Sequence, residues 1–350
     1  MRLTPRNIFS CLAAALAAAT VAGCGSFGDV PPSGVFTGTV TSYPGPHYVY
    51  VIQDPPSGTG QVLLFLQGAN GSATPVQTIT GPTGMDITAV ATDSSGELYI
   101  AGYLPTSSFP VIEVYAAGAS GAATPARTIN VSDLYSPTAM TIDASGSLYT
   151  VNPNDGEVFV YSSTASGAAT PTRTISGSLT QLDASEGVAV DSSGNIYVAS
   201  ALFNGNAATG AVYVFSSTAN GNVAPTRIIT NPNGLFLGEA IDSTGDLYLT
   251  LDTVGTPPTG AIVEYAPGAS GAATPMRTIA GAATGLLTAG GVSVDGADDI
   301  FVSDQAANAS GNGYTYSLDL FPASATGNIA PVDSFTSSSW TNAAPGIAIH

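Results

Sequence analysis

Three groups of residues in this 350-residue chain have types and spacings that could do chemistry: carboxylates that break a pattern, four arginines that keep one, and two histidines. Glu239 stands where the matching positions elsewhere are Val90, Met140, Val188, Val292 and Ile347, and Glu186 directly precedes another such segment. Asn152, Ser200 and Asp304 are polar at a place where the matching residues Gly102 and Leu251 are not. Hard oxygen donors of this kind, gathered around one point, hold a divalent cation such as Ca²⁺. Arg127, Arg173, Arg227 and Arg277 recur at one place in a repeated phrase. Cations at equal spacing would suit an anionic polymer; the expected reading is instead that their aliphatic stems cover a neighbouring unit's apolar flank. His47 and His350 are the only histidines, and no further histidine or cysteine accompanies them to complete a metal centre. No G-x-S-x-G elbow with a usable histidine, Walker or Rossmann fingerprint, or HExxH is present, so no catalytic residue is assigned.

The elements that must position these residues come from a repeat. Six copies of one phrase run LFLQGANGSATPVQTI, VYAAGASGAATPARTI, VYSSTASGAATPTRTI, VFSSTANGNVAPTRII, EYAPGASGAATPMRTI and LFPASATGNIAPVDSF. Their last residues are Ile79, Ile129, Ile175, Ile229, Ile279 and Phe335, so the period is about 50 residues, which means an array of like units. A second motif interleaves, as in Asp143-x-x-Gly146-x-Leu148-Tyr149. Asp caps its own turn and Gly supplies a positive φ, so this is a hairpin. Upstream of each Asp lies a run of small and β-branched residues. Each unit is therefore four strands: a small-residue strand, a Leu-Tyr strand, a strand ending in an aromatic, and the Thr-Pro strand.

Four short antiparallel strands per unit, with the smallest residues on the first, predict the blade of a propeller, whose inner strands crowd around an axis. Six aromatics on second strands, from Tyr50 to Phe301, and six on third strands, from Phe65 to Phe321, would fill the widening wedges between blades. The chain ends Gly346-Ile347-Ala348-Ile349-His350, matching Gly187-Val188-Ala189-Val190-Asp191 position for position, whereas the first unit begins at its second strand. Residues 346–350 are thus expected to close the ring as the missing inner strand, removing exposed edges. The prediction is all-β, six blades and 24 strands over residues 47–350. That closure places His350 beside His47, as a hydrogen-bonded or partly protonated seam rather than a metal site.

Before the ring, Arg2 and Arg6 precede an apolar run too short for a comfortable span, the pattern of an export signal. It ends Val21-Ala22-Gly23-Cys24, which resembles the lipobox of bacterial lipoproteins. The resemblance implies cleavage after residue 23, acylation of Cys24, and, because glycine follows the cysteine, an outer-membrane address. Residues 24–46, rich in Gly, Pro, Ser and Thr, read as a tether. With Cys11 removed and Cys24 lipidated, no thiol is left for a disulfide. The chain has no lysine and a net charge of −18, which repels phosphate backbones and excludes nucleic acid as a partner.

Glu186-Gly-Val-Ala-Val-Asp191-Ser-Ser-Gly194-Asn-Ile-Tyr197-Val-Ala199 resembles the NHL repeat of six-bladed propellers. Relatives of that kind include binding scaffolds, lactonases and lyases, so the resemblance implies a fold and no single activity. In gluconolactonase-like propellers a Glu, Asn and Asp set at the channel mouth holds a cation that polarises a lactone carbonyl. Glu186, Glu239, Asn152 and Asp304 offer the same residue types, and the resemblance makes a metal-dependent hydrolase the alternative reading. Lacking a channel histidine or lysine, these side chains are expected to be solvated pore residues. Blades four to six have the longest connections between second and third strands. Such loops on a rigid ring suit recognition, so the leading expectation is an envelope lipoprotein that binds a protein, glycan or small ligand on its loop face, without catalysis or cofactor.

Overall fold

The computed structural model describes residues 48–350 apart from 54–57, 72, 133, 135–136, 153–154, 184, 205–206, 232, 254–258, 308–313 and 337–346. The expected signal, Cys24, the expected tether and His47 lie outside the described residues. Those described form strands and turns and no helix. They fall into six sheets, five of four strands and one with a short fifth strand, and the four antiparallel strands of each make one of six blades of a propeller. Blade one joins Ile347–Ile349 to Tyr48–Gln53, Gln61–Leu66 and Gln77–Thr80; blades two to six span 86–130, 140–175, 185–231, 234–280 and 289–336.

Closure follows the expected register. Val49, Tyr50 and Val51 of the entering strand pair with Ile349, Ala348 and Ile347. The backbones of Tyr48 and His350 exchange bonds of 3.1 and 3.2 Å. This innermost strand is also gripped from both sides, by the Thr92 hydroxyl of blade two on the Ile349 carbonyl and the Ser293 hydroxyl of blade six on that of Ile347. A chain end that would fray alone is thereby held by three blades.

Each apolar cluster sits between neighbouring blades. One, for example, unites Tyr50, Val62 and Ile79 of blade one with Val90, Leu98 and Tyr115 of blade two, and five more follow round the ring. The twelve repeated aromatics are buried in or against these wedges. Burial of one such side chain stabilises by roughly 1.5–3 kcal/mol, so the wedges supply most of the cohesion between blades.

The turn Asp works as expected: Asp143 Oδ1 accepts the amides of Ser145 at 2.8 Å and Ser147 at 2.9 Å, and Gly146 takes φ 79°. In blade six Asp298 fills the glycine position and adopts φ 64° itself, a conformation that Asp tolerates better than most residues.

A contact between blades was not foreseen. The glycine that opens the Gly-x-x-Thr/Ala-Pro loop of every blade bridges in parallel to the outermost strand of the blade before it. Gly121, at φ 62°, gives its amide to Thr78 at 2.6 Å and takes that of Thr80 at 2.8 Å. Gly71 reaches Phe335 in the same way, so this clasp also crosses the closure. At Gly167 the bridge extends to a two-residue strand, Gly167–Ala168, which makes the described strands 25 rather than 24.

Candidate functional site

The four arginines are consumed by the wheel. Arg127, Arg173, Arg227 and Arg277 each lie over the second-strand tyrosine of their own blade, with the guanidinium carbon 5.4 to 6.0 Å from the ring centroid. Each donates to that tyrosine's hydroxyl and to a backbone carbonyl in the next blade's Gly-rich loop. In blade three the chain of bonds is complete: Tyr149 donates to Asp143 at 2.9 Å, Arg173 donates to Tyr149 at 3.1 Å, and Arg173 reaches the Ser217 carbonyl at 2.7 Å. Blade one makes the loop contact with Gln77, which donates to the Gly118 carbonyl, and blade six with Asp333, bonded to Asn70. The guanidinium groups are thus occupied within the wheel rather than free for an anionic polymer, and they meet the neighbouring blade through hydrogen bonds to its carbonyls while lying on a tyrosine of their own blade.

The axial carboxylate set is dispersed in character. Glu186 is an exposed residue on a bulge between Ser185 and Gly187. Glu239 is the opposite: its position belongs to the wedge, where Val90, Met140, Val188, Val292 and Ile347 contribute to the apolar clusters. Its side chain packs against Gly187 of blade four, and both carboxylate oxygens are closed to solvent. Burial pushes its carboxyl up to about 8, outweighing the backbone amides of Ala199 and Ala189, which pull it down without closing a well-formed hydrogen bond. The expectation of a solvated pore residue is therefore corrected for Glu239: the acid stands in for an aliphatic side chain that points at the preceding blade, not at the axis.

Asp304 is buried at the end of its strand, where its carboxylate accepts the Leu287 and Thr288 amides, both at 2.9 Å. Burial raises it to about 6, against the pull of those amides, and nearby Asp319 adds to the rise. The two acids share a cleft of about 290 Å³ with Thr284, Tyr316 and Ser317. Asp319 is also raised by burial, and accepts from Ser317 at 2.8 Å. Sequence reasoning missed Asp319; its signal was an acid two residues before the third-strand aromatic, where Leu63, Phe159, Tyr213 and Val263 stand in four other blades and the buried Glu113 in blade two. Asn152 is buried in the hairpin of blade three and bonded to Asp155 and Glu157. Among the described residues no three His, Cys, Asp or Glu side chains gather as metal ligands. His350 is exposed and lies against the Gly96 turn of blade two. Its seam with His47 involves a residue outside those described.

Antiparallel order puts the Asp turns and glycine clasps on one face of the wheel, and the second-to-third hairpins with the blade-to-blade connections on the other. The clasp face is regular. The loop face is not: Ile196–Asn204 and Ala207–Phe215 of blade four run nine residues each, and Ile300–Ala307 and Tyr314–Phe321 of blade six run eight. Blade three offers only Leu148–Asn152 and Glu157–Tyr161, five residues each. At about 3.3 Å per residue, blade four's hairpin stands some ~13 Å taller than blade three's.

No family model and no curated protein matches the chain. Among solved structures, it is similar to a protein of unknown function from Bacteroides caccae, with a TM-score of 0.58 and 10% identity over 87% of this chain and 99% of that one. The likeness is one of fold. A WD40 domain from Toxoplasma gondii coronin aligns at a TM-score of 0.45 and 11% identity, over 83% of this chain and 64% of that one.

Proposed function

We propose that this protein is a cell-envelope lipoprotein, anchored through an acylated Cys24 in the outer membrane, whose NHL-like propeller binds a protein, glycan or small ligand without catalysis. One observation carries the reading: the difference in hairpin height lies on one face. The clasp face repeats the glycine clasp in every blade and the Tyr–Arg contact in blades two to five, whereas the loop face carries hairpins of unequal height. A rigid ring with one variable face is how loops are held for recognition. The alternative, a metal-dependent lactonase-like hydrolase, draws no support from Glu239, whose carboxylate is sealed between blades four and five.

The test has two arms. Replacing 202–209 by a two-residue turn lowers the blade-four hairpin to the height of its neighbours and should abolish capture of the envelope partner while leaving the melting temperature nearly unchanged. Capture that survives this change, and the same cut in blade six, overturns the binding reading. Labelled palmitate should enter the wild-type chain and not Cys24→Ser; equal labelling of both removes the anchor.

A further inference from the structure

The hairpin of blade three brings three oxygen-bearing side chains together and leaves one buried acceptor among them, Asn152 Oδ1, without a donor. Asn152 and Glu157 face each other across the hairpin, and Asp155 lies in the turn between them. Asn152 is fully buried. Its Nδ2 donates to Asp155 Oδ2 at 3.1 Å and to Glu157 Oε2 at 3.5 Å, while its Oδ1 accepts nothing and has no access to water. A buried acceptor left without a donor costs about 1–3 kcal/mol. The amide is held in that orientation only because two carboxylates attract its NH₂ group.

We propose that Asn152, Asp155 and Glu157 form a Ca²⁺ site. Turning the amide half a revolution brings Oδ1 to where Nδ2 stands, so three hard oxygens then converge. Oδ1 loses no bond by leaving, since its present surroundings give it no donor, and the two bonds that Nδ2 gives up are replaced by the ion's bonds to the same two carboxylates. The spacing fits: adjacent oxygens around a cation with bonds of 2.3–2.6 Å are about 3.3–3.7 Å apart, and the amide position lies 3.1 Å from Asp155 Oδ2 and 3.5 Å from Glu157 Oε2. Two carboxylates match the charge of a divalent ion, and water fills the remaining positions, as is usual for Ca²⁺. Mg²⁺ is the poorer fit, because it demands shorter bonds and stricter octahedral angles. The site shares Asn152 with the axial set expected from the sequence but takes Asp155 and Glu157 of its own hairpin in place of Glu186, Glu239 and Asp304, and it is independent of the binding role of the loop face.

The experiment is calorimetric titration of the full chain, stripped with chelator, with CaCl₂ and with MgCl₂. One equivalent of Ca²⁺ should bind with a dissociation constant of roughly 0.1–1 mM, the range of extracellular modules, and more tightly than Mg²⁺. Asp155→Asn, at an exposed position, should weaken binding at least tenfold without lowering the melting temperature in chelator. Asn152→Asp should bind Ca²⁺ more tightly than wild type, since it adds a third carboxylate, and should melt lower than wild type in chelator. Absence of saturable binding up to 10-fold above that range overturns the proposal. So does binding that neither variant changes, and binding lost in Glu239→Gln but kept in Asp155→Asn would move the ion to the axial set.

Discussion

At the scale of single residues, the chain places acids where its own repeat calls for aliphatics, and the cost falls on stability. Glu239 is the clearest case. Its carboxyl is raised to about 8 by burial, so the folded protein holds this proton more tightly than the unfolded chain does. Stability from this group is therefore fully present below the unfolded pKa, near 4.5, and is lost as pH rises through the folded value. Asp304, raised to about 6, loses its share earlier in the same direction. Thermal melts between pH 5 and 9 should show wild type falling toward alkaline pH. Glu239→Gln should flatten most of that fall, and Glu239→Val, which restores the residue type of blades two, four and six, should raise the melting temperature at pH 8. A parallel pH slope in Glu239→Gln and wild type would mean that this carboxyl does not titrate with folding.

At the scale of the strand and its turn, Asp, Tyr and Arg behave as one device. Arginine occurs in blades two to five, where a turn Asp and a tyrosine hydroxyl are both present, and is missing from blade six, where Phe301 has no hydroxyl, and from blade one, whose turn is interrupted by the chain ends. The guanidinium needs a flat ring to lie on and an acceptor beyond it, and both come from the same blade. Tyr149→Phe should cost about 1 kcal/mol and Arg173→Ala about 2 kcal/mol, the latter because it also frees the Ser217 and Ala219 carbonyls of blade four. The two losses should not add. A double-mutant cycle by urea denaturation measures their coupling, and strict additivity would show that ring and cation act separately.

At the scale of the whole molecule, the ring is closed twice, by the C-terminal strand on the inside and by the Gly71 clasp on the outside. The inner closure is the more exposed to damage, because its strand is three residues long and ends the chain. Removing 347–350 strips Ile347 and Ala348 from their wedges, bares the backbone edge of Tyr48–Gln53, and should lower stability by about 3 kcal/mol or more. An unpaired edge also invites association. Size-exclusion chromatography should then show oligomers or aggregate where the full chain shows one species, with a matching fall in melting temperature. A truncated chain that stays monodisperse and melts like the full one would show that the outer clasps alone close the wheel.

The residues by themselves determined the wheel: strand count per blade, blade number, closure register and the buried aromatics all follow from period, turn chemistry and side-chain size, which are local properties. The Asp turns and the arginine positions were legible for the same reason. Direction across a blade interface was not. Whether Glu239 met the axis or the neighbouring blade depended on how adjacent sheets twist together, and the period of a strand says only that a side chain leaves one side of it. The glycine clasp and the Asp304–Asp319 cleft were hidden likewise. Each joins residues distant in sequence whose approach is set by the packing of whole blades, and only the tertiary structure decides that packing.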